Sequence, residues 1–230
     1  MKTRTAAALL TAAVAVIAAA TAPSASAAPV YAGRGWAIET SWGIHSIDRS
    51  EPYTFTFTSA AARDRLTPYI ARVLAQLSSA TGAKFIMSRT VETFTGKCPA
   101  KHHLVMSLNY RPLNGQKGMS RALPCYDTVD HSAFGGIAEI DSEYWTPAWK
   151  DPDWWKANAV VHEVGHLVGL DHPNSKDGKG NDIPFKCVTD AQGFRPLMCS
   201  PNGGYSGSRG GRFTDFDMAG LKQLGRNWAA

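Results

Sequence analysis

Three histidines and one glutamate lie within the eleven residues HEVGHLVGLDH, at positions 162–172. On a helix each residue advances by about 100°, so His162 and His166 lie about 40° apart on one face and can bind one metal ion. Glu163 lies beside that face, within reach of a water molecule on the ion but poorly placed to be a ligand itself. Imidazoles at this spacing, with a carboxylate next to them, indicate a catalytic zinc ion.

The rest of the stretch supplies a third ligand and a buried face. Gly169 can adopt a positive φ, which ends the helix and turns the chain so that His172 returns to the ion. Three protein ligands leave a coordination position open, and this distinguishes a catalytic zinc site from a structural one. The opposite face of the helix is apolar and is expected to pack against a core, through Val160, Val161, Val164, Leu167 and Val168.

Several polar residues near the motif have more than one interpretation. Asp171 is either a rival ligand or a group that hydrogen-bonds a ligand or the neighbouring backbone, and the second role is favoured. Asp177 and Asp182 do not match the EF-hand spacing, so a solvated loop is favoured over a calcium site. The remaining histidines lack a partnered spacing and are expected on the surface or in loops, namely His45, His102, His103 and His131.

Apolar periodicity predicts the elements that position the motif. Strands are predicted at 53–58, 84–88, 103–108 and 134–141. A helix is predicted at 60–77, with a split or kink where Thr67 and Pro68 resemble a cap and a first turn. A second helix is predicted to begin at Asp153, whose carboxylate can cap its first amides, and to run through the motif. A third is predicted at 213–228 with Thr214 as its cap. Strands before the metal helix and one helix after it indicate a mixed α/β domain of the α+β type, with a cleft between two lobes.

Two stretches and one group of residues have no clear periodicity. Residues 28–50 are expected to form an irregular segment that packs across the domain, and residues 113–130 a loop with several glycines and prolines. Core packing is favoured over substrate binding for the tryptophans that precede the metal helix, Trp145, Trp149, Trp154 and Trp155.

The first residues predict an exported protein. Lys2 and Arg4 precede an apolar, alanine-rich stretch, and an A-x-A site ends at Ala27, which is the order of regions in a secretory signal. The alternative is a membrane anchor, which is disfavoured because the apolar stretch is short and interrupted by Thr and Pro. We therefore expect a signal peptide at 1–27 and a single extracellular domain at 28–230, which does not associate with a membrane.

The charge of the exported domain argues against nucleic acid as a partner. Removal of the predicted signal peptide takes away Lys2 and Arg4, so 22 of the 24 basic residues remain, against 19 acidic residues. This mild surplus is scattered along the chain, and no basic patch with interleaved aromatic residues is present.

All four cysteines lie in the exported domain, and an even number in such a protein predicts two disulfides. Three pairings are possible. The sequence-local one, Cys98 with Cys125 and Cys187 with Cys199, is favoured because it closes short loops at modest entropic cost. A cysteine-rich metal site is disfavoured because no CxxC pair occurs.

The extended motif resembles that of the metzincin clan of zinc endopeptidases, and with Asp171 before the last histidine it is most similar to matrixin-type proteases. Met198 follows His172 by 26 residues and matches the methionine of the clan's Met-turn. Residues 213–221 resemble the start of the matrixin C-terminal helix. This resemblance, which covers roughly residues 134–226, implies a zincin catalytic domain with a twisted mixed sheet, an active-site helix and a C-terminal helix.

The chain departs from this family in three respects. Residues 130–136 do not reproduce the matrixin ligands of a structural zinc, so we expect one catalytic zinc ion and neither structural zinc nor structural calcium. Ser200 stands where astacin-like and serralysin-like members have a tyrosine. Tyr205 is either a substitute for that tyrosine or, as is favoured, a structural loop residue. No cysteine-switch segment is present, so activation from a zymogen is not expected.

Together these observations predict a secreted, monomeric zinc endopeptidase that acts on proteins or peptides. His162, His166 and His172 would bind the ion, and Glu163 would act as general base toward a zinc-bound water and then protonate the leaving amine. The strand at 134–141 is expected to be the sheet edge that pairs with substrate, with a side-chain pocket near residues 198–205. The alternatives are a non-catalytic zinc-binding module and a zinc amidase acting on cell-wall peptides.

Overall fold

The computed structural model describes residues 28–93 and 96–228, and the predicted signal peptide at 1–27 lies outside this part of the chain. The strands and helices follow one another in the order β1 (Ala32–Gly33), β2 (Trp36–Ile38), β3 (Ser46–Ile47), β4 (Tyr53–Phe57), α1 (Ala60–Ile70), α2 (Leu74–Thr81), β5 (Phe85–Val91), β6 (His103–Asn109), β7 (Arg121–Tyr126), β8 (Ser132–Asp141), α3 (Asp153–Leu167), β9 (Leu170–Asp171) and α4 (Asp215–Asn227). The predicted mixed α/β class is confirmed.

The larger sheet has six strands and is parallel except for β7. Its strand order is β3-β8-β6-β4-β5, and β7 pairs antiparallel with β8. Residues 136–139 of β8 pair with β6 and also with β7, so these two strands flank β8 on opposite sides. The prediction that residues 134–141 form the edge of the sheet is therefore wrong, and β7 is the edge strand next to β8.

The segment predicted as a loop at 113–130 contains this edge strand. Pro124 and the nearby glycines indicate a loop, because proline has no N–H group to donate to a sheet ladder and glycine weakens a strand. An edge strand has one side without a partner, so it tolerates proline where an inner strand does not. Pro124 pairs with Gly136 of β8, and the strand continues on both sides of it.

A smaller sheet joins the N-terminal segment to the metal motif. Its order is β1-β2-β9, all antiparallel, with Ala37 opposite Asp171 and Ile38 opposite Leu170. The region 28–50 is thus less irregular than predicted, because short strands within it pair with residues far along the chain.

The core lies between the larger sheet and the helices. Tyr53, Phe55 and Phe57 of β4 are fully buried, as alternation in that strand predicts. The predicted apolar face of α3 is also fully buried, through Val160, Val161, Val164, Leu167 and Val168. The predicted helix pair at 60–77 exists, but its break follows Ile70. Pro68 lies inside α1, where buried Leu66, Tyr69 and Ile70 keep the helix intact through the proline.

The two caps predicted from the sequence have different outcomes. Thr214 caps α4 and forms a capping box with Asp217, as expected for a polar residue at a helix start. Asp153 begins α3, but its carboxylate does not cap the helix amides. It instead accepts a hydrogen bond of 2.7 Å from the Tyr69 hydroxyl, which ties α3 to α1.

Candidate metal centre

Three imidazole rings converge at the C-terminal end of α3. His162 and His166 project from the helix, and His172 follows β9 after the turn at Gly169. The Nε2 atoms of His162 and His166 are 3.2 Å apart, and each lies 3.0 Å from Nε2 of His172. Within the described ranges these three residues are the one cluster that could hold a metal ion through histidine, cysteine or carboxylate groups.

The opposite nitrogen of each ring has an oxygen partner. Nδ1 of His162 lies 3.0 Å from the Leu197 carbonyl oxygen, and Nδ1 of His166 lies 2.8 Å from the Leu170 carbonyl oxygen. Nδ1 of His172 lies 3.0 Å from Oδ2 of Asp182. Carbonyl and carboxylate oxygens only accept, so the proton of each neutral ring resides on Nδ1 and the lone pair on Nε2.

This arrangement fits a cation. Three lone pairs that face one another at 3.0–3.2 Å repel unless a positive charge lies between them. A proton is disfavoured there, because burial lowers the pKa of His162 and of His166 to about 3 and that of His172 to about 4. A tetrahedral zinc ion with Zn–N bonds of about 2.0–2.1 Å needs ligand nitrogens roughly 3.3–3.4 Å apart, which is close to the spacing of these atoms.

The turn after α3 depends on Gly169. This residue has φ of +106°, and a β-carbon on it would lie 2.8 Å from Ile44. A positive φ at the helix end agrees with the prediction from the motif. The chain then enters β9, where pairing with β2 holds the backbone that leads to His172.

Met198 packs directly against the metal helix. It is 1% exposed, and a β-carbon on Gly165, which lies between the two helical ligands, would overlap its Sδ atom. The preceding residue, Leu197, supplies the carbonyl oxygen that accepts from His162. The structure therefore places Met198 against the helix of the candidate ligands, while the carbonyl group of Leu197 orients one of them.

Glu163 is buried beside the histidines and faces a cavity. Its exposed fraction is 8%, and its carboxyl group forms no hydrogen bond with any residue that the structure describes. Burial raises the pKa of its carboxyl group to about 8. A carboxyl group that is buried without a hydrogen bond is costly to folding, which makes Glu163 a candidate functional residue.

The cavity beside the triad has a volume of about 290 Å³. Arg121 and Ala122 of the edge strand β7 form one wall together with Ser120, which precedes the strand. Ser200 and Pro201, which follow Met198, also line the cavity. Part of the lining is apolar and consists of Leu113, Met119, Tyr144, Trp155 and Ala159. Another part is polar or half-exposed and consists of Glu39, Trp42 and Asp171. Trp155 thus lines the cavity in addition to packing in the aromatic cluster with Tyr144 and Trp149.

Glu39 and Asp171 bring two carboxyl groups together in this lining. Burial raises the pKa of Glu39 to about 7, and the neighbouring Asp171 contributes to the increase. Asp171 itself accepts a hydrogen bond of 2.7 Å from the backbone N–H of His172. This is the backbone-binding role that the sequence favours for Asp171.

One prediction about a polar residue is corrected and another is refined. Asp182 does not lie in a purely solvated loop, because its carboxylate contacts His172. His102 lies in a turn, in agreement with the predicted surface or loop position, but it is buried: it is 6% exposed, and its Nε2 lies 3.2 Å from a carboxylate oxygen of Asp48. Tyr205 packs against Phe194 and Arg209 and is absent from the cavity lining, which agrees with the structural role that was favoured.

The two favoured disulfides are confirmed. Cys98 pairs with Cys125 and Cys187 with Cys199. The second bond joins the loop after His172 to the residue next to Met198, so it braces the metal centre. Disulfides indicate an oxidising environment such as the outside of the cell. Of the helices in the described ranges, none is long and apolar enough to cross a membrane.

Comparison with known proteins gives no relative, since no protein-family model and no curated protein matches the chain. The case for its chemistry therefore rests on the geometry of the triad, Glu163 and the cavity.

Proposed function

We propose that this protein is an exported zinc-dependent endopeptidase of the metzincin clan, similar to the matrixin type. The observation that carries the proposal is the convergence of three Nε2 atoms beside a buried glutamate whose carboxyl group has no hydrogen-bond partner among the residues that the structure describes. Met198 under the metal helix and the edge strand along the cavity agree with the same interpretation. The two disulfides are compatible with an extracellular site of action.

His162, His166 and His172 would hold the zinc ion through Nε2. When bound, such an ion polarises a carbonyl group and lowers the pKa of a water molecule toward about 7. The Nδ1 contacts keep the three rings in the tautomer that ligation requires. The metal-free pKa values of about 3–4 keep the imidazoles neutral at physiological pH, so protons do not compete for Nε2.

Glu163 performs the proton transfers. Burial alone raises its pKa to about 8, but a zinc ion bound beside it would favour the ionised form. The carboxylate then takes the proton of the attacking water molecule and delivers it to the amine that leaves when the peptide bond breaks. The carboxyl group has no partner among the described residues, so it can approach the water without first breaking a protein hydrogen bond. General acid–base catalysis of this kind contributes about 10²–10⁴-fold to rate.

The edge strand β7 aligns the substrate. A peptide in extended conformation can add to β7 as a further strand, because β7 pairs with β8 on one side only in the described chain. Arg121 and Ala122 of β7 also line the cavity beside Glu163. The apolar lining formed by Met119, Tyr144 and Trp155 then accepts a large apolar side chain of the peptide.

A casein zymogram and a metal analysis test this proposal with Glu163→Gln. Wild-type protein is expected to retain about one zinc ion per chain and to digest casein until 1,10-phenanthroline is added. Glu163→Gln is expected to retain the zinc and to lose activity by at least about 100-fold, because the amide cannot accept the proton. His172→Ala, the matched ligand variant, is expected to lose both the zinc ion and the activity.

Other outcomes identify the alternatives. Zinc binding without hydrolysis of casein or of cell-wall peptides would favour the non-catalytic zinc module. Hydrolysis of cell-wall peptides alone would favour the amidase. Loss of zinc from Glu163→Gln would contradict the general-base role, since it would make the carboxylate a structural group.

A further inference from the structure

His172 differs from the other two candidate ligands in the partner of its Nδ1 atom. His162 and His166 use the neutral main-chain oxygens of Leu197 and Leu170. His172 uses the carboxylate of Asp182, with Nδ1 3.0 Å from Oδ2. His172 is also the ligand that lies outside α3, so the helix does not fix its ring.

The loop that carries Asp182 is built to present this carboxylate. The second oxygen of Asp182 lies 2.7 Å from Nζ of Lys176, and Lys176 and Asp182 form an antiparallel bridge across the loop. The base of the loop is closed by Asn174, which is 6% exposed and donates to the carbonyl oxygens of Ile183 and Ser200. These contacts fix the loop relative to the chain that follows Met198.

A carboxylate acceptor does more for a ligand than a carbonyl acceptor. It fixes the ring orientation and the tautomer, and its charge makes the imidazole a stronger electron donor at Nε2. The pair with Lys176 balances the charge of Asp182 and restrains its rotation. The contact therefore fixes the ring of His172, which lies outside the helix that positions His162 and His166.

We propose that Asp182 is the positioning residue of the third metal ligand and that it sets the metal affinity of the centre through His172. The inference rests on the proposed zinc centre. Asp182 does not touch the ion or the substrate, and it acts by holding Nδ1 of His172. Removal of such a partner weakens metal binding by about 10–100-fold.

The test is zinc affinity, measured by competition with a chromophoric chelator, for the wild type, Asp182→Ala, Asp182→Asn and Asp177→Ala. Asp182→Ala is expected to weaken zinc binding by about 10–100-fold. Asp182→Asn is expected to be intermediate, because its amide oxygen still accepts the Nδ1 proton but has no charge. Asp177→Ala is the matched control, since Asp177 lies in the same loop and its carboxylate accepts from Lys179 and Asn181 of that loop, whereas His172 pairs with Asp182.

Two further readouts separate positioning from folding. The thermal unfolding midpoint of the metal-free protein should be nearly unchanged in Asp182→Asn. The visible absorption spectrum of the cobalt-substituted protein should shift in both Asp182 variants and stay unchanged in Asp177→Ala, because it reports the ligand field.

Unchanged zinc affinity in Asp182→Ala would overturn this inference and leave the proposed function intact. Equal weakening in Asp177→Ala would also overturn it, because loop integrity would then explain the effect. Absence of zinc binding by the wild type would overturn the proposed function itself, and with it this inference.

Discussion

Gly165 lies on α3 between His162 and His166, and the side chain of Met198 occupies the space beside it. A β-carbon at this position would overlap Sδ of Met198 and lie 3.1 Å from its Cε. Met198 is 1% exposed, so it has little room to move. We expect Gly165→Ala to lower the free energy of unfolding by about 1–3 kcal/mol, the usual cost of overpacking, although alanine has the higher helix propensity.

Urea denaturation of the metal-free protein measures this effect. Gly178→Ala is the control, because a β-carbon there meets no atom within 4 Å. In a double-mutant cycle, the cost of Gly165→Ala should shrink once Met198→Ala has made room. An equal cost in both backgrounds would show that the helix and the methionine turn do not compete for this space.

At the scale of single residues, the sequence predicts the candidate ligands better than the groups that hold them. His162, Glu163 and His166 share a helix, so helical periodicity alone relates them, and Gly169 brings His172 back within a few residues. The sequence does not predict Asp182 as a partner, because nine residues without periodicity separate it from His172. Only the tertiary arrangement around Asn174 determines where such a loop places a carboxylate.

At the scale of elements, α4 holds the methionine turn through one buried carboxylate. Asp217 is fully buried and accepts hydrogen bonds from the backbone N–H groups of Leu197, Met198 and Thr214 and from the Thr214 hydroxyl. The capping box that begins the helix therefore also fixes the turn whose carbonyl oxygen accepts from His162.

We expect Asp217→Asn to destabilise both features. An amide has one oxygen, so at least one of the N–H groups is left facing another donor, at a cost of about 1–3 kcal/mol. Chemical denaturation and zinc competition should both detect the change, because the Leu197 carbonyl oxygen loses its fixed position. The control is Asp215→Asn, two residues earlier in the same helix and exposed. Loss of stability without any loss of zinc affinity would show that the helix cap does not support the candidate metal centre.

The strands show why local pattern is insufficient at this scale. The alternating residues of β4 predict a strand because its own side chains carry the signal. The edge strand β7 contains Pro124 and follows glycines, so its sequence indicates a loop until β8 provides a partner. The order of strands likewise depends on contacts between distant segments, and this is why β8 was mistaken for the edge.

At the scale of the whole molecule, both ends of the described chain meet beside the metal motif. Asn227, at the end of α4, donates through Nδ2 to the carbonyl oxygens of Val30 and His45 and accepts from the Val30 N–H through Oδ1. The segment held in this way continues into β2, which pairs with β9. Because β9 lies between His166 and His172, the last helix supports the ligand turn through the N-terminal segment.

We expect Asn227→Ala to loosen this connection. The three hydrogen bonds to the N-terminal segment are lost, which lowers the free energy of unfolding by about 1–3 kcal/mol. Hydrogen exchange should become faster at the backbone amides of β2 and β9, because local opening of the segment precedes exchange there. Zinc affinity should fall as well, since the backbone that leads to His172 is less restrained.

Gln223→Ala provides the matched comparison for Asn227→Ala. Gln223 donates to the same Oδ1 atom of Asn227 but forms no side-chain hydrogen bond with the N-terminal segment in the described structure. Its removal should leave exchange in β2 and β9 unchanged. If exchange in β9 were equally slow in Asn227→Ala and the wild type, the ligand turn would be stable without the N-terminal segment. The support for His172 would then come from Gly169 and Asp182 alone.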